Sequence, residues 1–428
     1  MRRSTKLAIA VVVALTFVAA AVLFYLGLRH DEVHASQPTS DAVAQIERGR
    51  YLAVLGDCQA CHTLRGGQAY AGGRGTPTPF GTFYSPNLTP DAETGLGNWS
   101  ADDFWLALHE GRSKNGKLLY PVFPYTNYTK ITRADSDALF AYLRSLPAVR
   151  APAREHELRF PYRYRALLIA WRGLFFRPGV FEADDRQSEL WNRGAYLVQG
   201  LGHCSACHEA RNALGAVRSS DNPSGGLVLS WYAPSLHSVE EGSVADWSEQ
   251  DVIALLGAGK SRDASVSGPM AEVVFESLQH ASEADLRAMA TYLRALPKQP
   301  VPPQKAYVRV PQASLKPMME RGADLYRRHC ADCHGDAGEG HAPVAPALAG
   351  NRALSMSSAV NSIRIIRFGG YEPGTEGNPR PFGMPPFGTR LGDDEIADVL
   401  TFIRASWGNH GRPVSETEVR EHRNLDRQ

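Results

Sequence analysis

A five-residue motif, Cys-x-x-Cys-His, occurs three times in this chain of 428 residues. Two thiols at this spacing add across the two vinyl groups of one haem, and the adjacent histidine is then placed to bind the iron as proximal ligand. All six cysteines belong to the motifs, and each pair has its own histidine. The chain is therefore predicted to hold three covalently bound haem c groups. The attachment residues are Cys58, Cys61, Cys204, Cys207, Cys330 and Cys333, and the proximal ligands are His62, His208 and His334.

Other functions of the motif are less consistent with the composition. A single Cys-x-x-Cys pair also occurs in redox dithiols and in zinc sites, but neither requires the following histidine. The formal net charge is +1, so no basic field indicates nucleic-acid binding. The sequence has no glycine-rich phosphate loop, dinucleotide fingerprint or catalytic triad. We therefore predict an electron-transfer protein without catalytic residues of its own.

Residues 1–36 are predicted to be a membrane anchor or a signal segment. Three basic residues precede an uncharged apolar run, 7–28, whose 22 residues suffice to span a bilayer. Signal-peptide cores are shorter, about 7–15 residues, so an uncleaved transmembrane helix is favoured and a cleaved signal peptide is the alternative. The preceding positive charges predict that the remainder is exported. Because bacteria complete covalent haem attachment outside the inner membrane, we expect the haem domains on the periplasmic side of that membrane.

Each motif is part of a longer repeat, which predicts three tandem, mainly α-helical domains. A helix with an Arg-Gly pair precedes each motif, and a closing helix with an aromatic residue follows it. A glycine inside a helix costs about 1 kcal/mol relative to alanine. Its recurrence predicts that the first and last helices cross, with the glycine allowing the aromatic ring to approach the backbone. The pairs are Arg48-Gly49, Arg193-Gly194 and Arg321-Gly322, and the aromatic residues are Tyr142, Tyr292 and Phe402.

The repeat also divides the chain into domains and connections. The first connection has an aromatic and basic helix too short to span a membrane. We favour packing between domains for this helix, and a position on a membrane surface is the alternative. The second connection is proline-rich and predicts an extended spacer, and the charged tail is expected to be poorly ordered. The domains are 42–150, 187–298 and 314–409, the connections are 151–186 and 299–313, and the tail is 410–428.

A Pro-x-Leu triplet follows every attachment motif. With these triplets the chain resembles class I cytochrome c, in which the carbonyl of such a proline accepts a hydrogen bond from the proximal histidine. The resemblance implies the same bond here, where it would fix the tautomer and orientation of each ligand. The triplets are Pro86-Asn87-Leu88, Pro234-Ser235-Leu236 and Pro346-Ala347-Leu348.

Two methionines are predicted to be the sixth iron ligands of the second and third haems. Iron in such domains usually takes a methionine sulfur opposite the histidine. Met270 follows His208 by 62 positions and Met384 follows His334 by 50, and both lie in loops with glycine and proline before the last helix. Met289 lies inside a closing helix and is expected to pack in the core.

The first domain has no methionine in the corresponding loop. Aligned through its tryptophan, the domain has Phe123 in the place of Met270, 61 positions after His62. Phenylalanine cannot bind iron, so the sixth ligand of the first haem is left unassigned. An open or weakly ligated iron is the leading hypothesis. The alternatives are His109, or a ligand from another domain or protein.

For three histidines outside the motifs, the leading interpretation is a role other than binding iron. His109 is expected to be a helix residue rather than a ligand, because its aligned partner in the second domain is Gly257, well before the ligand loop. His203 and His329 directly precede Cys204 and Cys330. Both are expected to face solvent within the attachment turns.

Over nearly everything after residue 36 the chain resembles the three-haem cytochrome c subunit of membrane-bound gluconate, sorbitol and alcohol dehydrogenases. The resemblance rests on GRYLAVLGDCQACHT, TPFGTFYSPNLTPD, WNRGAYLVQGLGHCSACH, SGPMAEVV and IRASWGN. It implies three tandem class I cytochrome c domains, and with the apolar run the predicted fold class is mainly α, with these domains after an N-terminal transmembrane helix. It also implies a separate catalytic subunit carrying flavin, pyrroloquinoline quinone or molybdenum, whose electrons pass to ubiquinone or to the terminal oxidase chain.

Phe123 and the long N-terminal segment depart from the pattern of this family. The first departure keeps a second hypothesis open, namely a haem enzyme that acts on a small ligand at the first domain. The partner's substrate, the electron acceptor and the order of the haems do not follow from the sequence.

Overall fold

The computed structural model describes residues 3–28, 41–217, 224–262, 264–300, 309–341 and 345–423. The chain divides into two compact units. The first consists of Met1–Ala183, Gln199–His203 and Asn212–Ala216, and the second consists of Asp184–Val198, Cys204–Arg211 and Val217–Gln428.

In its described residues, the first unit is a set of helices with one small antiparallel sheet, in which β2 lies between β1 and β3. Its helices are α1 (Arg3–Leu28), α2 (Ala42–Leu55), α3 (Cys58–His62), α4 (Ala101–Glu110), α5 (Tyr125–Tyr128), α6 (Arg133–Ser145) and α7 (Leu167–Phe175). Its strands are β1 (Gly75–Thr78), β2 (Gly81–Tyr84) and β3 (Glu157–Leu158).

The second unit contains two further helical repeats, each with a two-stranded antiparallel sheet. Its helices are α8 (Glu189–Tyr196), α9 (Ser205–His208), α10 (Glu249–Ala258), α11 (Pro269–Glu276), α12 (Glu283–Arg294), α13 (Gln312–His329), α14 (Ala331–His334), α15 (Arg352–Ser355), α16 (Val360–Phe368), α17 (Asp393–Arg404) and α18 (Glu416–Glu421). Its strands are β4 (Gly226–Val228), β5 (Trp231–Ala233), β6 (Gly370–Tyr371) and β7 (Gly383–Met384).

The first and last helices of each repeat cross at the recurrent glycine, as predicted. The pairs are α2 with α6, α8 with α12, and α13 with α17. A β-carbon at any of the three glycines would collide with a backbone carbonyl oxygen of the partner helix and would lie 2.8 Å from the aromatic residue's Cβ. The distances to that oxygen are 1.9 Å at Gly49 (Ala138), 2.0 Å at Gly194 (Ala288) and 2.3 Å at Gly322 (Asp398).

The arginine before each glycine forms an ion pair with the partner helix, which the sequence did not reveal. The three aspartates have side chains that are at most 10% exposed, so each carboxylate gains a charged hydrogen bond in a nearly buried position. The aspartate lies seven residues before the aromatic residue in two repeats and four residues before it in the third. Because this spacing is not constant, the aspartates could not be recognised as a repeated feature. The pairs are Arg48–Asp135 at 2.5 Å, Arg193–Asp285 at 2.8 Å and Arg321–Asp398 at 2.5 Å.

The N-terminal segment corrects one part of the predicted fold class. Among the described residues, no helix has both the length and the apolar character needed to cross a membrane, a passage that takes about 20 apolar residues. The prediction of an N-terminal transmembrane helix is therefore wrong, whereas the prediction of mainly helical repeats is confirmed. The C-terminal turn of α1 packs on α7 instead: Arg172 Nε donates to Gly27 O over 3.0 Å, and Gly27 closely approaches Ile169.

The helix in the first connection packs against the first repeat, whereas the favoured interpretation placed it between domains. Leu168 of α7 joins a buried cluster with Phe83, Leu118 and Tyr120. Arg172 is 1% exposed, and its guanidinium donates to the backbone carbonyl of Glu110 as well as to α1. Burial of a cation is tolerated here because these carbonyl oxygens replace its water.

Residues 410–423 of the C-terminal tail pack on the third repeat, so the prediction of poor order is wrong for them. Val414 and Val419 are fully buried in the core of the third repeat. Arg412 binds Glu418 in a bidentate ion pair, with bonds of 2.8 and 2.5 Å. In the sequence, the many charged residues of the tail made these two buried valines hard to recognise. The proline-rich spacer predicted at 299–313 falls largely on residues outside those described.

The second and third repeats are joined by an asparagine side chain. Tyr232 N donates to Asn361 Oδ1 over 2.9 Å, and Asn361 Nδ2 donates to Tyr232 O over 2.8 Å. Tyr232 is the central residue of β5, and its other neighbour across the sheet is Leu227 of β4. The backbone N–H and C=O of Tyr232 are thereby both hydrogen-bonded to a residue of α16.

Candidate haem-attachment sites

Each attachment motif ends in a single turn of helix that follows the first helix of its repeat. Helices α3, α9 and α14 all end at the motif histidine. Residues three and four apart lie on one helix face, so this turn brings both cysteines and the histidine to the same side. The His208 and His334 N–H groups donate to the carbonyls of Cys204 and Cys330 over 2.9 Å, which closes the turn.

The predicted bond between histidine and proline is present in all three repeats. The Nδ1–O distances are 2.9 Å for His62 and Pro86, 2.7 Å for His208 and Pro234, and 3.0 Å for His334 and Pro346. When Nδ1 donates to a carbonyl, Nε2 retains the lone pair that binds a metal. Desolvation also lowers the pKa of each of these histidines and outweighs the opposite effect of the proline carbonyl. The neutral imidazole that iron requires is therefore favoured.

The thiols do not resemble those of a redox dithiol or a zinc site. Burial raises the pKa of the Cys58 and Cys204 thiols to about 12, and that of Cys330 to about 11. Reactive dithiols and zinc ligands depend on a stabilised thiolate. In the part of the chain that the structure describes, no group of three or more His, Cys, Asp or Glu residues could hold a metal ion. Two thiols beside an oriented neutral imidazole fit covalent haem.

The proline loops of the first and third repeats are held by asparagines. Asn87 Nδ2 donates to Val149 O over 2.7 Å, which ties the Pro86 loop to the chain after α6. Asn409 Nδ2 donates to Leu348 O and to Ile403 O, both over 2.9 Å, and so ties the Pro346 loop to α17. In the sequence, Asn409 stands out only as the last residue of IRASWGN. Its role depends on a contact 61 residues away, which no local signal reveals.

A buried carboxylate holds the proline loop of the second repeat. Glu241 is fully buried and accepts hydrogen bonds from the Tyr232 hydroxyl at 2.6 Å and from Ser235 N at 2.9 Å. Ser357 of the third repeat donates to it over 3.2 Å. Because Ser235 follows Pro234, the carboxylate positions the residue that orients His208. The sequence gives no signal for Glu241, because it is one of two adjacent acidic residues in a loop without a recurring pattern.

Replacing Glu241 with alanine is expected to destabilise the second unit by about 3 kcal/mol, because hydrogen bonds to a charged acceptor are lost and buried donors remain unpaired. Unfolding by denaturant, followed at the haem absorption, measures the change. Glu240→Ala is the matched control: Glu240 is exposed, and its replacement should change the stability by less than about 0.5 kcal/mol. Equal effects of the two substitutions would contradict a supporting role for Glu241.

The structure places the candidate methionines in different settings, and their role as ligands stays a prediction. Met384 lies in β7 opposite Gly370 and packs, like Cys330 and Leu348, against the buried apolar cluster of the third repeat. Met270 lies in the first turn of α11, after Gly268. Gly268 has φ +56°, and a β-carbon there would lie 2.4 Å from the Trp231 ring. Met289 is 2% exposed in α12, which confirms its core position.

The first repeat has a phenyl ring in the loop where a methionine was expected. Phe123 is partly buried just before α5, and its ring centroid lies 5.4 Å from that of Tyr128. His109 is 1% exposed in α4; its Nδ1 lies 2.9 Å from Thr129 O, and its ring stacks on Trp105 at 4.4 Å. These contacts favour a packing role for His109.

One of the two histidines that precede attachment motifs does not face solvent. His203 is partly buried, donates to the Gly56 backbone and packs edge-on against Tyr128 at 5.6 Å between ring centroids. The prediction of a solvent-facing ring is therefore wrong for His203. It is confirmed for His329, which is exposed.

Comparisons with known proteins agree with these sites. The cytochrome c family model matches residues 46–147 and 319–407. The cytochrome c subunit of the quinone alcohol dehydrogenase of Gluconacetobacter polyoxogenes is 38% identical over 390 residues, which is 88% of this chain and 83% of that protein. The chain belongs to the cytochrome c subunits of dehydrogenases. The corresponding subunit of gluconate 2-dehydrogenase from Pantoea cypripedii is 36% identical, over 88% of each chain.

The family confirms the predicted resemblance and the class of function. This cytochrome c subunit carries covalent haem c and transfers electrons, and it is not the catalytic enzyme by itself. A nicotinate dehydrogenase subunit from Pseudomonas putida is 41% identical over 85% of this chain, which spans 30% of that protein. The family model leaves the second repeat unmatched, although its glycine contact and its histidine–proline bond equal those of the other two repeats.

Proposed function

We propose that the protein relays electrons through three haem c groups from a partner dehydrogenase to ubiquinone or to the terminal oxidase chain. The observation that carries this proposal is the threefold Cys-x-x-Cys-His turn, each with its histidine bonded to a proline carbonyl. When bound, each haem supplies a one-electron carrier. The chain contributes the six thiols, the three oriented imidazoles and the supports of the proline loops.

Methionine ligation is proposed for two of the three sites. Met270 would complete the site of His208, and Met384 that of His334. A methionine sulfur raises the reduction potential of haem iron, so these two sites should accept electrons readily. Met384 and Cys330 pack against the same buried apolar cluster, which supports the assignment in the third repeat.

The partner is proposed to be a dehydrogenase with flavin, pyrroloquinoline quinone or molybdenum chemistry. Relatives of the chain are named as cytochrome c subunits of alcohol, gluconate and fructose dehydrogenases. The word quinone in the name of the alcohol dehydrogenases supports a quinone as acceptor. We place the haem domains on the periplasmic side of the bacterial inner membrane, because covalent haem attachment is completed there, and infer that association with the partner complex brings them to the membrane.

Purification of the tagged full chain from detergent-solubilised bacterial membranes tests the relay. The expected result is co-purification of a dehydrogenase whose substrate reduces all three haems, followed by reoxidation on addition of a ubiquinone analogue. A variant with Cys58 and Cys61 replaced by alanine controls for the contribution of one haem. Isolation of the cytochrome alone, fully active on a substrate, would overturn the proposal.

A second function is favoured by Phe123, which stands where the methionine ligand is expected. An iron without a sixth protein ligand could take a small ligand such as peroxide, nitric oxide or a sulfur species. Carbon monoxide binding to the reduced protein separates this function from a pure relay, because sealed six-coordinate haems do not bind it readily. If His109 were the ligand, His109→Ala would abolish the low-spin signal of the first haem, although the stacking on Trp105 speaks against that role.

A further inference from the structure

The second attachment motif is preceded by a helix that differs from those of the other repeats. From the helix glycine to the first cysteine the interval is nine residues in the first repeat, ten in the second and eight in the third. The second repeat contains a π-helical turn, Leu197–Leu201. A π turn has one residue more per hydrogen-bonded loop than an α turn, so it accommodates a longer interval, and such turns are frequent at functional sites.

The segment Gln199–His203 begins within this turn, belongs to the first compact unit and is held there by its backbone. Asn127 Nδ2 donates to Gln199 O over 2.9 Å, and a β-carbon at Gly200 would lie 3.3 Å from Lys130 Cβ. His203 ends the segment with φ +38°. A left-handed conformation costs a residue other than glycine about 1–3 kcal/mol unless the surroundings enforce it.

The contacts of the His203 ring enforce that conformation. Its ring N–H donates to the carbonyl of Gly56, and the Tyr128 hydroxyl donates to the same oxygen over 3.1 Å. Gly56 lies two residues before Cys58, and His203 directly precedes Cys204. A single hydrogen bond therefore connects the backbone that leads into the first attachment motif with the backbone that leads into the second.

We propose that the hydrogen bond between His203 and Gly56 is the bridge for electron transfer between the first and second haems, with His203 as its positioning residue. The inference rests on the proposed three-haem relay. In each transfer one haem is oxidised and the other is reduced by one electron, and no proton moves at His203. Electronic coupling through a hydrogen bond exceeds that through a van der Waals gap, so the bond shortens the effective path between the two sites.

The test is the rate of electron equilibration between the first two haems in the haem-loaded full chain, measured after photochemical injection of one electron. His203→Phe keeps a ring against Tyr128 and removes the donor, and it should slow the equilibration several-fold while the reduction potentials stay unchanged. His203→Gln restores an N–H donor and should restore the rate. His329→Phe, at the same position before the third motif, should leave the rate unchanged because His329 is exposed.

Each outcome decides between the bridge and its alternatives. Equal rates in wild type, H203F and H203Q would overturn the bridge and leave the relay intact. Failure of the wild-type chain to transfer electrons between these haems would instead refute the relay. If H203F and His203→Leu do not load all haems whereas H203Q does, the bond serves assembly and the bridge is likewise overturned.

Discussion

Gly194→Ala is expected to destabilise the second repeat by about 3 kcal/mol, since overpacking of a close contact has this order of cost. The added methyl group would lie 2.0 Å from the Ala288 carbonyl oxygen and 2.8 Å from Tyr292 Cβ. A backbone oxygen cannot rotate away as a side chain can, so α8 and α12 must separate. Because the attachment turn follows α8, incomplete haem attachment at Cys204 and Cys207 is expected as well.

Thermal unfolding followed at the haem absorption measures the effect, and a melting temperature lower by more than about 10 °C is expected. Gly179→Ala is the control, because a β-carbon at Gly179 meets no atom within 4 Å and its φ is not positive. It should change the stability by less than about 0.5 kcal/mol. Indistinguishable melting curves for the two variants would show that the crossing does not depend on the glycine.

Phe123→Met is expected to convert the first haem into a histidine–methionine site. The proposed open iron would gain a sulfur ligand, which raises its reduction potential and closes the position that carbon monoxide would take. Near-infrared magnetic circular dichroism should then show three histidine–methionine signals where the wild type shows two. Potentiometric titration should show the potential of one haem rising and the other two unchanged.

Two further substitutions serve as controls for this experiment. Phe123→Leu keeps an apolar side chain without sulfur, and it should retain both the low potential and the carbon monoxide binding of the wild type. Met384→Ala should produce the opposite change in the third repeat, with loss of one methionine signal and new binding of carbon monoxide. Three methionine signals in the wild type would refute the open iron.

The sequence was sufficient where function depends on short, repeated patterns. The attachment motifs, the proline triplets and the crossing glycines all recur, and the structure has the predicted contacts at each copy. These features are local or are fixed by one pair of helices. Periodicity and repetition therefore carried the prediction of three similar helical repeats.

The sequence was insufficient where a single residue acts over a long distance. Glu241, Asn409 and His203 each bind backbone or side chains far along the chain, and no spacing rule connects them with their partners. The charged tail was misjudged for a related reason, because two buried valines outweigh its polar composition. The N-terminal prediction relied on the apolar run and the basic residues before it, neither of which indicates the packing of Gly27 against α7.

The pairing of Asn361 with Tyr232 has a consequence for how the protein can be divided. A two-stranded sheet has unprotected outer edges, and exposed strand edges recruit other chains into aggregates. The amide of Asn361 occupies the outer edge of β5 in the way a third strand would. A fragment that ends after the second repeat would expose this edge, and the backbone N–H and C=O of Tyr232 would lose their partner in the third repeat. The two C-terminal repeats should therefore be expressed together, so that this edge of the second repeat stays covered.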